Sequence, residues 1–196
     1  MILYKIAVAI FKPIFCFLFR INTTGKENIP DGAAVVCANH TSWLDPVVLA
    51  VGVGPRKHFR FMAKQEIFKN KIFAWLLHKI GVIPVNRENT DLSTIRTCLK
   101  VLKNGEKLMM FPEGTRISEE KADRENVKVG VGMIAARANA PIVPIYISGN
   151  KRLFKKTRIV IGKPMMPITS KGSNNENYME TALAVFDEIM RLKQGN

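Results

Sequence analysis

A histidine and an aspartate five positions apart, His40 and Asp45, stand in the run Asn39-His40-Thr41-Ser42-Trp43-Leu44-Asp45-Pro46, just after the apolar stretch 33–38. Five helical steps turn through about 140°, so a single helix face does not hold both. They converge if a strand ends near His40 and a turn leads into a helix starting between Ser42 and Asp45. Such a pair suits general-base chemistry. The imidazole takes a proton from a hydroxyl, while the carboxylate fixes its tautomer and supports the imidazolium. The same residues also admit structural roles. Ser42 with Asp45 three later has the form of a capping box, and a histidine ending an apolar strand can be a hydrogen-bonded part of the core.

A second group, Phe111-Pro112-Glu113-Gly114-Thr115-Arg116, closes the apolar run 107–111. Gly114 permits a tight turn, Glu113 supplies an acceptor, and Arg116 a planar fork suited to phosphate. Ligands of open α/β sheets bind at the carboxyl ends of strands, which is where this group falls. An exposed Glu–Arg ion pair in a loop is the alternative. Two more cations follow apolar runs: Arg87 in Gly81-Val82-Ile83-Pro84-Val85-Asn86-Arg87, and Lys64 directly after 59–63. Val143-Pro144-Ile145-Tyr146 puts a proline inside an apolar run, the mark of an edge strand or a bulge. Cys16, Cys37 and Cys98 form no CxxC pair and no zinc spacing with the histidines, which points to a reducing compartment and no metal. Cys37, three residues before His40, is read as core rather than as a nucleophile, because it lies in a buried run.

In this order, NHTSWLDP, GVIPVNR, FPEGTR and VPIYISG resemble the four motif blocks of the glycerolipid acyltransferase family, the 1-acylglycerol-3-phosphate acyltransferases; the resemblance runs over residues 25–164. It implies that His40 and Asp45 are catalytic and that Arg87, Glu113, Gly114, Thr115 and Arg116 hold the glycerol phosphate. Lys64 is carried over to the same site from just upstream of the second block, and Pro144 shapes it. The reaction implied is direct acyl transfer from a thioester, on acyl-CoA or acyl carrier protein, to the sn-2 hydroxyl of lysophosphatidate, forming phosphatidic acid. No cofactor beyond the acyl donor is implied. Glycerol 3-phosphate or another lysophospholipid as acceptor, and a non-catalytic basic module with this fold, are the competing readings.

The elements that must position these groups follow from short apolar runs bounded by turn residues. Strands are expected at 33–38, 59–63, 81–85, 107–111, 142–148 and 158–161. Helices are expected at 65–80, from Thr90 or Asp91 to Gly105, at 127–139 and at 175–193. This alternation predicts an α/β domain with a mostly parallel central sheet flanked by helices. His40 and Glu113 should open onto one cleft.

Residues 1–21, MILYKIAVAIFKPIFCFLFRI, are strongly apolar, and on a helix Lys5, Lys12 and Arg20 would fall within about 80° of one another. One basic stripe on an apolar helix suits the membrane interface, and Pro13 is expected to kink or split it. Ala7-Val8-Ala9 comes too early for a signal-peptide cleavage site. The expected division is therefore an anchor over residues 1–22 and an acyltransferase domain over 23–196, joined near 25–32, at the cytoplasmic face of a membrane. A surplus of 30 Lys and Arg over 16 Asp and Glu leaves +14, which favours anionic partners. The bilayer, lysophosphatidate and an acidic acyl carrier protein fit that charge. Nucleic acid is set aside, because the aromatics gather in the N-terminus and at Phe68, Phe73 and Trp75 rather than among Lys and Arg on a platform.

Overall fold

The computed structural model describes residues 2–85, 92–149, 151–169 and 174–195. The chain opens with one continuous helix, α1 (Ile2–Phe19), with Pro13 inside it. The split expected at Pro13 does not occur. Pro13 and Ala9, whose carbonyl loses its helical partner, are both exposed, so that carbonyl can be satisfied from outside. The expected basic stripe is also revised. Arg20 lies past the helix end with φ 43°, and Lys12 is half-buried with its Nζ beside Gly54. Lys5 stays exposed, but most of what the helix presents outward is apolar: Ile2, Ile6, Ile10, Ile14 and Phe17 are exposed, while Tyr4, Val8 and Phe19 pack against the domain. By length and composition α1 suffices to cross a membrane.

A strand absent from the sequence-based expectation follows, β1 (Ile21–Thr24). Its residues, Ile-Asn-Thr-Thr, are too polar to read as an apolar run, and it is held by pairing rather than by burial. The division drawn after residue 22 falls inside this strand. Then come β2 (Ala34–Ala38), α2 (Asp45–Val53), β3 (Phe59–Arg60), β4 (Met62–Lys64), α3 (Lys71–Lys79), β5 (Ile83–Val85), α4 (Leu92–Lys103), β6 (Lys107–Met110), α5 (Gly130–Ala138), β7 (Ile142–Ile147), β8 (Thr157–Ile161) and α6 (Asn174–Gln194).

Six strands form the main sheet in the order β1-β8-β7-β2-β6-β3, and β4 pairs with β5 in a separate parallel ribbon. Every neighbouring pair in the main sheet is parallel except β7 with β8. The sheet is thus mostly parallel, with helices on both faces. Ala34, Val36 and Ala38 of β2 join one core layer with Tyr4 and Val8 of α1 and Val48 and Leu49 of α2. Val35 and Cys37 join the other with residues of α4, α5 and α6. All five residues of β2 are fully buried, as expected of a strand covered on both sides. Burial of Val35 and Val36 alone is worth about 1.5–3 kcal/mol each. Gly132 lets α5 approach α6 closely, since a Cβ there would strike the backbone of Tyr178.

Three expected elements change. The run 59–63 is not one strand: the chain turns at the buried Phe61, whose carbonyl accepts from Ile83 N at 2.7 Å, and passes from the main sheet to the ribbon. The expected helix 65–80 is a 3-10 turn, Gln65–Lys69, followed by α3. Asn70 restarts the helix by accepting from Ile72 N and Phe73 N at 3.0 and 3.2 Å, the N-cap role of its residue type. The helix expected from 127 begins only at Gly130 and ends at Asn139, whose φ of 46° is the left-handed terminator. The expected start of α4 at Thr90 or Asp91 lies outside the described residues. Finally, β7 is an interior strand, although Pro144 had marked it as an edge or bulge. The Pro144 carbonyl accepts from Gly162 N at 2.8 Å, so its missing N–H faces the chain just beyond Ile161, the last paired residue of β8. The missing donor therefore costs the ladder no bond inside the paired region.

Candidate active site

The parallel pairing of β2 with β6 and with β7 brings three strand ends together. Asn39 fixes the first turn after β2: its Nδ2 donates to Ile147 O at 2.9 Å and its Oδ1 accepts from Ile147 N at 2.8 Å. The side chain thus continues the ladder with β7 for one more step. His40 follows, with its Nδ1 2.9 Å from Asp45 Oδ2. Its ring stacks on Phe111 at 3.9 Å with the planes 13° apart, and its side chain is 8% exposed.

Asp45 opens α2, where the helix dipole favours a negative charge. Its Oδ2 also accepts from Thr41 N and Ser42 N, each at 2.8 Å. The bond from Ser42 N is half of the capping box read from the sequence, so the structural and chemical readings of Asp45 describe one arrangement. Burial pushes the Asp45 carboxyl up, but the His40 hydrogen bond, the Lys151 charge and the Ser42 N–H outweigh it and hold the group below the usual carboxylate range. An ionised carboxylate only accepts. The His40 proton therefore belongs on Nδ1, which leaves the Nε2 lone pair to take a proton.

The loop after β6 is tied to the same place. The His40 N–H donates to Glu113 Oε2 at 3.2 Å, and the His40 carbonyl accepts from Ile117 N at 2.8 Å. Gly114, with φ 68°, closes the turn by donating its N–H to Phe111 O at 3.0 Å. Glu113 is 2% exposed; burial raises its carboxyl to about 7, the His40 N–H opposing and the Asp45 charge adding to the shift. Gly114, Thr115 and Arg116 are exposed. Arg116 makes no ion pair with Glu113 or any other described residue, so the Glu–Arg surface pair is not formed.

His40 thus contacts both Asp45 and Glu113, and Gly114, Thr115 and Arg116 continue the same loop. Lys64 is exposed at the end of β4, opposite Val85 in the ribbon. A cavity of about 120 Å3, lined by Met62, Val85, Met109, Met110, Phe111 and Gly114, separates the ribbon from the loop. Arg87 lies outside the described residues. Cys37 is fully buried, its thiol pushed well above the ordinary range, and it faces the α5 side, away from any nucleophilic role. Among the described residues no cluster of His, Cys, Asp and Glu is arranged to hold a metal ion.

Lys151 was not anticipated. Its side chain is 1% exposed, its Nζ ion-pairs with Asp45 Oδ1, and it donates to Thr41 Oγ1 at 2.7 Å. It follows β7 at the same sheet edge as His40. The rule that singled out Arg87, a cation just past an apolar run, would have found it.

The family model described as "Acyltransferase" matches residues 20–148. The chain belongs to that acyltransferase family. It is similar to the 1-acyl-sn-glycerol-3-phosphate acyltransferase of Bacillus subtilis (strain 168), 38% identical over 169 residues, covering 83% of this chain and 82% of the relative. A protein of the same description from Streptococcus pneumoniae is 34% identical over 179 residues, 88% of this chain and 65% of its own length. Among solved structures, the 1-acyl-sn-glycerophosphate (LPA) acyltransferase of Thermotoga maritima superposes with a TM-score of 0.70 at 26% identity. That match covers 96% of this chain and 79% of the other. In this acyltransferase, the first and third motif blocks read from the sequence follow the carboxyl ends of the neighbouring strands β2 and β6, and the fourth lies on β7.

Proposed function

We propose that this acyltransferase esterifies the sn-2 hydroxyl of a 1-acylglycerol 3-phosphate, forming phosphatidic acid, with an acyl thioester on CoA or on acyl carrier protein as donor. The observation that carries the reading is the His40–Asp45 pair, oriented with Nε2 available and joined through Glu113 to the loop that displays Arg116. His40 Nε2 takes the acceptor hydroxyl proton as the oxygen attacks the thioester carbonyl. The tetrahedral intermediate collapses, the C–S bond breaks, and the departing thiolate takes the proton back from the imidazolium. Arg116, exposed and unpaired among the described residues, binds the acceptor phosphate together with Thr115, Lys64 and Arg87. Glu113 holds the His40 backbone in place.

The apolar α1 and the membrane-lipid relatives make the chain membrane-associated. Its mode is peripheral, on the cytoplasmic face. Tyr4, Val8 and Phe19 pack on the domain along the whole length of α1, and crossing the bilayer would strip those contacts. The free cysteines fit a reducing compartment.

Purified enzyme tests this with a panel of acceptors: lysophosphatidate, glycerol 3-phosphate and a lysolipid without phosphate. His40→Ala should lose about two to four orders of magnitude in kcat, the reach of a positioned base. Arg116→Ala should raise the lysophosphatidate KM about ten- to a hundredfold, as loss of a charge-assisted bond predicts, and should be no worse than wild type with the phosphate-free acceptor. Near-normal turnover in His40→Ala overturns the mechanism. Preference for glycerol 3-phosphate overturns the acceptor.

A further inference from the structure

Helix α3 is built the wrong way round for a soluble protein. None of its residues is buried, and Ile72, Phe73, Trp75 and Leu76 are 78%, 58%, 59% and 41% exposed. Ile67 in the preceding turn is exposed as well. Only Leu77, with Ile80 just after the helix, packs on the core. On a helical wheel the four outward side chains span an arc of about 160°, and Leu77 falls outside it, about 120° from its centre. Contiguous apolar surface of this kind marks an interaction site.

The surroundings of the patch identify what it meets. Lys64, Lys69, Lys71 and Lys79 are exposed around it, and Glu66 is the one acidic residue between 57 and 85. Lysines are depleted from protein–protein interfaces. A ring of lysines about aromatic and aliphatic side chains instead fits a bilayer interface, with ammonium groups at anionic headgroups and the apolar face among acyl chains. The end of α3 also lies near the N-terminal part of α1. Tyr4 of α1 stands edge-on to His58 at 4.2 Å, and His58 Nε2 lies 3.3 Å from the carbonyl of Ile80 at the end of α3. One histidine therefore touches both helices.

We propose that α3 is a second lipid-docking element, which lays its Ile72, Phe73, Trp75 and Leu76 face into the surface of an anionic bilayer. The inference rests on the membrane-associated reading given above, but on different residues. Because α3 links β4 to β5, docking it turns the ribbon, with Lys64 at its strand end, toward the leaflet that holds the acceptor lipid.

The chain contains two tryptophans, Trp43 and Trp75, so Trp43→Phe leaves Trp75 as the single tryptophan in the full-length protein, excited selectively above the tyrosine absorption band. The variant is mixed with vesicles of phosphatidylcholine and phosphatidylglycerol, with and without bromine near the top of the acyl chains, and co-sedimentation is measured in parallel. The expected result is a blue shift of Trp75 emission on binding and its strong loss with brominated lipid. Vesicles of phosphatidylcholine alone should bind more weakly. Should Trp43→Phe fail to fold, the difference between wild type and Trp75→Phe gives the same reading. Protein that pellets with vesicles while Trp75 is neither shifted nor quenched overturns the α3 proposal and leaves the α1 reading standing. A blue shift that grows with protein concentration in the absence of lipid means a second copy covers the patch, and also overturns it. Failure to pellet at all removes both readings.

Discussion

At the scale of single residues, Lys151 carries a charge to a place where an unpaired charge is costly. Asp45 is its partner, so the carboxylate that orients His40 is itself fixed on both oxygens: Oδ2 by two backbone N–H groups and the imidazole, Oδ1 by the ammonium. Lys151→Met should therefore lower kcat by about ten- to a hundredfold, the usual reach of a residue that orients a reacting group. Acceptor KM should change little. The acid side of the kcat profile should move to higher pH, because one of the influences holding the Asp45 carboxyl low is gone while burial still pushes it up. Lys151→Arg should restore part of the loss. Steady-state kinetics across pH separate this from a structural role, which would leave kcat and its profile at wild-type values once the variant is folded.

At the scale of elements, α1 has two faces that do different work. Tyr4 and Val8 belong to the core layer of the domain, so deleting the helix would uncover that layer and confuse loss of anchoring with loss of structure. Ile6 and Ile10 are 49% and 58% exposed and can be changed without disturbing it. Ile6→Glu with Ile10→Glu should shift the protein from the vesicle pellet to the supernatant. Each isoleucine contributes up to about 1.5–3 kcal/mol when fully buried in lipid, so a drop of about a hundredfold in partitioning is expected. Thermal melting should be nearly unchanged. Lys12 contributes to the domain instead. It sits beside Gly54 at the carboxyl end of α2, where a cation complements the helix dipole. A double variant that still pelleted fully would assign the docking to other surfaces.

At the scale of the whole molecule, two buried carboxylates act on stability in opposite pH windows. Asp45, held below the usual range, stabilises the fold above the ordinary carboxylate value and loses that contribution as pH falls through its depressed one. Between pH 5 and 8 its contribution is constant. Glu113 is raised from 4.5 to about 7. The folded protein holds its proton more tightly than the unfolded chain, so stability is fully present below 4.5 and is lost as pH rises to about 7. A shift of that size corresponds to about 3 kcal/mol. Glu113→Gln should therefore flatten the fall in stability from pH 5 to pH 8, read as urea midpoints at the two pH values. An unchanged slope would mean that Glu113 is not the group responsible. The surplus charge of +14 works at longer range. It draws the protein to anionic surfaces and is screened over about 10 Å at 0.1 M salt.

The sequence by itself determined where the candidate site residues fall and most of the strands. His40 with Asp45, and Glu113 with Arg116, were legible because each pair follows an apolar run closely enough that local geometry alone sets it at a strand end. β2, β6 and β7 were legible because strands covered on both faces are continuous apolar runs. β1 was not, since its polar residues are held by β8, 136 residues later in register at Ile21 and Thr157. The turn at Phe61 was hidden for the same reason: a second ribbon competes for the chain. Pro144 looked like an edge marker because sequence shows a missing donor but not which neighbour needs it. Lys151 is the sharpest case. It is 106 residues from Asp45, and only the parallel packing of β7 on β2 brings its ammonium to that carboxylate. Local spacing fixes what a strand end can do, whereas pairing between distant strands decides which ends meet.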